Sequence, residues 1–164
     1  WTDEESFEVL EPKSDGFRNY VGSNNSRSPA DLLLERANFL NLSANEMTIL
    51  IGGLRTLGAV FDDNDIGVLT ENPGTLSNDF FVNLLDIDIS WEKSHEDENI
   101  FEGRDNSQGS IKWRASSIDL LFGSNSQLRA ISEAFAADDA GGEFVSQFGK
   151  AWAKVMNLDR FELM

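Results

Sequence analysis

The sequence predicts a mainly α-helical domain with a small antiparallel β insert around residues 89–114. Three observations carry that expectation. Ser43 and Glu46 stand at the spacing of a capping box, directly ahead of an apolar stripe of helical period. Phe144, Phe148, Trp152 and Val155 repeat that period near the carboxyl end. Between the helical stretches, three short alternating runs are separated by Gly and Asn turns. With 164 residues and 40% hydrophobic residues, the chain is sized for one domain with a packed core.

In chain order, residues 3–20 carry little periodicity, and Pro12 and Gly16 mark turns, so an irregular lead-in is expected. Ser28-Pro29 reads as an N-cap followed by proline at the first helical position. The helix it opens runs through Leu32, Leu33, Leu34, Ala37 and Leu40. The Ser43 capping box opens a second helix, with Met47, Leu50, Ile51, Leu54 and Leu57 on its buried face and Gly58 at its end. Asp62 to Asp65 and Asn72-Pro73-Gly74 are turns. Ser77 is placed to cap a short helix carrying Phe80, Phe81, Leu84 and Leu85. The strands are Ile89 to Trp91, Ile100 to Phe101 and Ile111 to Trp113. Ser116 or Ser117 caps a segment through Leu120 and Leu121 that closes at Gly123, and Asn125 or Ser126 starts a helix with Leu128, Ile131 and Phe135. A last helix follows Gly141-Gly142, with Phe144, Phe148, Trp152 and Val155 on its buried face.

Composition removes whole classes of chemistry. With no Cys there is no disulfide, thiolate nucleophile or iron–sulfur cluster, and a single His excludes a multi-His metal centre. A net charge of −16 and a pI near 4.2 oppose nucleic-acid binding, since phosphates call for clustered Lys and Arg. The longest apolar runs fall far short of the roughly 20 residues that cross a bilayer. The 29 acids are scattered among 5 Lys and 8 Arg, which describes either an ordinary solvated surface or one suited to high salt. Trp1 at the start gives the look of a fragment of a longer protein.

Local patterns that could be mistaken for sites do not hold together. Asp62 to Gly67 lacks the fifth and twelfth ligands of a calcium loop. His95-Glu96-Asp97-Glu98 reads as a surface charge run, because neighbours on a polar loop cannot converge on one ion. Gly52-Gly53 fits no phosphate fingerprint and is expected to serve close helix packing. Asn24 and Asn41 begin formal glycosylation sequons, meaningful only in a secreted chain.

The Gly52-Gly53 helix carries more information. Leu42 to Leu54 resembles the proximal helix of class I haem peroxidases, in which a Gly pair precedes the iron-ligating histidine; Leu54 stands at that position here. Leu76 to Phe81 is similar to the segment that opens on the family's proximal tryptophan, again with a leucine, Leu76, in its place. Ser117 to Leu121 is similar to the segment bearing the aspartate that hydrogen-bonds the histidine, and this residue is kept as Asp119. Phe7 to Pro12, Asp15 to Tyr20, Asn78 to Asp86, Leu121 to Ser126 and Lys154 to Phe161 extend the likeness across nearly the whole chain. Together they resemble the haem-less C-terminal domain of catalase-peroxidases.

That resemblance implies a haem-peroxidase-like helical domain of which residues 1–164 are the carboxyl-terminal, proximal half, with the distal half and the N-terminal haem domain lying upstream. It implies no catalytic residue, metal or cofactor in this segment, Leu54, Leu76 and Asp119 being vestigial positions of a proximal pocket. The parent would be a cytoplasmic bifunctional enzyme that dismutates hydrogen peroxide and oxidises small donors with haem b in its N-terminal domain. The partners implied are that domain of the same chain and a second subunit in a homodimer, with no nucleic acid and no membrane. The expected role is structural support of the active site and the dimer. The alternative is a binding or regulatory module that holds a small ligand in the vestigial cleft; an active peroxidase half is opposed by Leu54, which has no lone pair for iron. Without an imidazole to orient, a buried Asp119 needs another donor: Arg55, backbone amides, or its own helix cap. The upstream half is expected to cover an apolar face formed by Leu32, Leu33, Phe80 and Phe81.

Overall fold

The computed structural model describes residues 28–60, 64–95 and 99–160; the expected lead-in, the Asn24 sequon, Asp62-Asp63 and Glu96 to Glu98 lie outside them. The elements are α1 (Pro29–Phe39), α2 (Ala44–Thr56), α3 (Asp79–Leu84), β1 (Ile89–Lys93), β2 (Ile100–Asp105), β3 (Ile111–Ser116), α4 (Ser117–Ser124), α5 (Ser126–Phe135) and α6 (Gly141–Met156). The three strands form one antiparallel sheet in the order β1-β2-β3, with Trp91 and Trp113 both opposite Gly103. The mainly α class and the β insert are therefore as expected, although every strand runs further than its alternating core.

Capping chemistry sets most boundaries. Ser28 accepts from Asp31 N at the start of α1, and Pro29 occupies the first turn. Ser43 and Glu46 complete a reciprocal capping box on α2: Glu46 N donates to Ser43 Oγ at 3.2 Å, and Ser43 N to Glu46 Oε2 at 2.8 Å. Asn125 ends α4 and caps α5, accepting from the backbone N of Gln127 and Leu128. Two boundaries differ from expectation. α3 starts at Asp79 behind Asn78, which makes no side-chain cap and instead donates from Nδ2 to Phe135 O at 2.8 Å; Ser77 Oγ accepts from Asp79 N at 3.4 Å. α6 starts at Gly141, so both glycines lie inside its first turn.

The core is aromatic. Phe80, Phe81, Phe122 and Phe144 are fully buried, and Phe81 meets Phe80, Phe135 and Phe144 with ring centroids 5.3–5.8 Å apart. The face expected to await an upstream partner is thus closed: Leu32, Phe80 and Phe81 are buried and Leu33 packs against the core. Phe80 meets Phe122 on α4, and Phe81 meets Phe135 on α5 and Phe144 on α6, elements whose docking no local pattern reveals.

α2 crosses the middle of the molecule and packs against α3, α5 and α6. It is buried on more than the expected stripe. Ile49, Gly52, Gly53 and Thr56 are buried, whereas Leu54 is only half-buried and Leu57 is exposed. The glycine pair explains the rotation. A Cβ on Gly52 would overlap the Phe81 ring, and one on Gly53 would overlap the Phe148 ring. Both rings therefore rest on bare helix backbone, which is the close packing expected of this pair.

Candidate functional site

The three pocket-like positions arise from α2, the loop that follows it, and the start of α4. That loop is tied back onto the helices. Gly74 N donates to Thr56 O at 2.9 Å, and Thr56 Oγ1 donates to Ser77 O at 3.4 Å. Thr70 Oγ1 donates to Asp79 Oδ2 at 2.6 Å, and Asn83 Nδ2 to Leu69 O at 2.9 Å. These bonds place Leu76 against α2, its Cδ1 only 3.0 Å from where a Cβ on Gly53 would lie. Leu54 and Leu76 both pack on the hydrophobic core. They occupy space as apolar filling and offer no donor or acceptor.

Asp119 is fully buried, and its carboxylate accepts four hydrogen bonds. Arg55 Nε donates to Oδ1 at 2.9 Å and Arg55 Nη2 to Oδ2 at 3.2 Å. Ser116 N and Ser116 Oγ donate to Oδ2 at 2.8 and 2.6 Å, completing the capping box of α4. Of the donors expected for this carboxylate, both the neighbouring arginine and the cap are present, and they act together. A paired, multiply bonded carboxylate is what makes such burial tolerable.

Gly67 makes that meeting possible and carries no signal in sequence beyond its place in a turn. Its φ of +82° suits glycine, and a Cβ there would come within 2.5 Å of Arg55 Nε and 2.8 Å of Asp119 Oδ2. Its N–H donates to Arg114 O at 2.8 Å, fastening the loop to β3.

A second polar link joins α2 to α6. Lys154 Nζ donates to both carboxylate oxygens of Glu46, at 3.0 and 2.8 Å. The Lys154 ammonium and the Ser43 backbone N–H hold the Glu46 carboxyl below its ordinary value of 4.5. The same side chain thus caps a helix and ties down the last one.

Among the described residues, three grooves can be placed on the surface away from these positions. One of about 480 Å³ is lined by Leu84, Ile89, Trp91, Leu120 and Arg129, and one of about 520 Å³ by Thr70, Ile111, Trp113 and Arg114. The third, of about 420 Å³, lies between Glu46, Ile49, Gln147 and Lys150. None of the three is lined by Leu54, Leu76 or Asp119. Among the described residues no three of His, Asp and Glu are grouped to hold a metal ion, and no helix is long and apolar enough to cross a membrane.

The peroxidase family matches residues 4–138 of the chain. A catalase-peroxidase of Streptomyces coelicolor is 60% identical over 163 residues, which cover 99% of this chain and 22% of that protein. A catalase-peroxidase of Natronomonas pharaonis is 55% identical over 162 residues, 99% of this chain and 23% of its own. Catalase-peroxidase 2 of Legionella pneumophila (strain Lens) is 54% identical over 162 residues, with coverages of 99% and 22%. The chain spans about a fifth of the length of these curated relatives.

Proposed function

The chain belongs to the peroxidase family, and on that premise we propose that it is a non-catalytic structural part of a catalase-peroxidase. In this reading the parent dismutates hydrogen peroxide and oxidises small donors with haem b held in its N-terminal domain. This segment is the proximal half of a duplicated, haem-less domain, and it supports that active site and the homodimer from outside.

One observation carries the reading: the residues at the three proximal positions do not fit haem. Leu54 offers no lone pair to iron, and Leu76 packs beside Gly53 as core. Asp119 is engaged by Arg55 and Ser116, so its carboxylate serves the fold rather than an imidazole. A small ligand in the vestigial cleft would need the space that Leu54 and Leu76 fill.

The test is a haem titration of the isolated chain, followed by absorbance and by peroxide consumption. The expected result is no Soret band with axial-ligand features and no consumption above that of free haem. Leu54→His should gain some haem affinity while activity stays negligible. Ligation or peroxide breakdown by the unsubstituted chain would overturn the proposal.

A further inference from the structure

Exposed apolar groups name no occupant by themselves. Trp152, expected in the core, is 42% exposed, and that expectation is corrected here; its indole stacks on Phe148, centroids 6.2 Å apart and planes 7° from parallel. The groove beside β3 says more, because its walls carry charge and an unpartnered donor. β3 ends the sheet order, so one of its edges has no partner strand. Gly67 N takes one place on that edge by donating to Arg114 O. The groove of about 520 Å³ is lined by Val68, Thr70 and Pro73 of the loop and by Ile111 to Arg114 of the strand, with Asp65 as the acid of the lining.

Trp113 is 8% exposed, and its Nε1–H is shielded from water without an acceptor among the described residues. A buried N–H left so is destabilising, and an oxygen brought into the groove relieves it. Lys112 Nζ lies 5.3 Å from the centroid of the Trp113 ring. Arg114 is exposed and makes no ion pair among the described residues. In a chain of 29 acids and 13 Lys and Arg, a cation without a carboxylate is the exception. The groove therefore fits a peptide that brings carboxylates, apolar side chains and carbonyl oxygens.

This chain carries such a peptide. Asp3, Glu4, Glu5, Glu8 and Glu11 fall within residues 3–11 without a Lys or Arg among them, and Phe7, Val9 and Leu10 are its apolar members. Residues 12–27 join that stretch to Ser28, a link that extends to about 55 Å and so reaches any face of a domain of this size. The peroxidase family match begins at residue 4 and ends at 138, which places the stretch and both walls of the groove inside one family unit. We propose that residues 3–11 of this chain occupy the groove beside β3, with Glu8 and Glu11 meeting Lys112 and Arg114 and an oxygen of the segment accepting from Trp113 Nε1. This goes beyond the non-catalytic reading and needs no part of it.

The test is carbodiimide cross-linking of the full-length protein that contains this chain, assembled from isotopically light and heavy copies and read by peptide mass spectrometry. The reagent joins an amine to a carboxylate with no spacer, so it reports pairs already in contact. Lys112 should be found linked to Glu8 or Glu11 of the same copy, as Lys154 should be to Glu46, its partner at 2.8 Å. Linkage of Lys154 without linkage of Lys112 to residues 3–11 overturns the proposal. Linkage of Lys112 to another segment, or to residues 3–11 of a differently labelled copy, assigns the groove to that occupant and also overturns it. Maleimide labelling of Ile111→Cys decides independently, Ile111 being 41% exposed among the described residues. Reversing charge with Glu8→Lys and Glu11→Lys should speed that labelling at least about tenfold, since labelling of a covered position waits on local opening. Equal rates in the two backgrounds overturn the proposal whatever the cross-links show.

Discussion

Arg55 and Asp119, 64 positions apart, are joined by two hydrogen bonds from one guanidinium to one fully buried carboxylate. Arg55 follows directly on Leu54, so α2 supplies the charge that satisfies the buried aspartate at the head of α4. Arginine suits this role because its planar fork meets both carboxylate oxygens at once.

Removing the guanidinium while leaving the carboxylate buried should be costly. Arg55→Leu is expected to destabilise the chain by about 2–3 kcal/mol, below the usual upper range because Ser116 still donates twice. Arg55→Lys should lie between, keeping the charge and losing the fork. Urea unfolding at neutral pH measures both. A loss under about 0.5 kcal/mol for Arg55→Leu would mean that the helix cap alone satisfies Asp119.

Glycine replacement separates packing from propensity. Gly52→Ala and Gly53→Ala should each destabilise by about 1–3 kcal/mol, because the added methyl meets the Phe81 or Phe148 ring. Gly149→Ala, at an exposed position of α6, should stabilise by up to about 1 kcal/mol, since alanine favours the helix and nothing obstructs it. Thermal melts of the three variants decide the matter. Equal effects at all three positions would deny that the rings rest on bare backbone.

The Glu46–Lys154 link makes a pH prediction. The folded-state pKa of Glu46 is lowered, so its contribution is present above the ordinary value of 4.5 and is lost as pH falls through the lowered one. Glu46→Gln should therefore cost about 0.5 kcal/mol near neutrality, a partly exposed pair contributing little more. The gap from the native chain should close at acid pH. A gap that is constant with pH would assign the effect to the cap rather than to the charge.

Salt tests the meaning of the acidity. With a net charge of −16, self-repulsion should weaken the compact state at low ionic strength. The Debye length falls from about 10 Å at 0.1 M to about 3 Å at 1 M, which screens most of it. The melting temperature should rise across that range, by about 2–4 °C for each kcal/mol recovered. Sodium chloride and a chloride of another cation should act alike. A flat melting temperature would make the acids an ordinary solvated surface and remove the case for a high-salt habitat.

Local chemistry was legible in the sequence, and arrangement was not. The Ser43–Glu46 box, a serine cap at Ser116 or Ser117, Pro29 at the head of α1 and the three-stranded insert all follow from residues a few positions apart, where backbone geometry leaves little choice. The leucines Leu54 and Leu76, at positions that resemble a proximal pocket, could likewise be read directly, because that concerns which side chain stands where. Tertiary structure decided the rest. It chose Arg55 as a partner for Asp119 alongside the cap, put Gly67 beneath their contact, rotated the buried face of α2 toward Gly52 and Gly53, and left Trp152 at the surface. Each of these depends on elements from distant parts of the chain meeting at a fixed separation. That separation is set by how the aromatic core closes, which no periodicity within a single helix encodes.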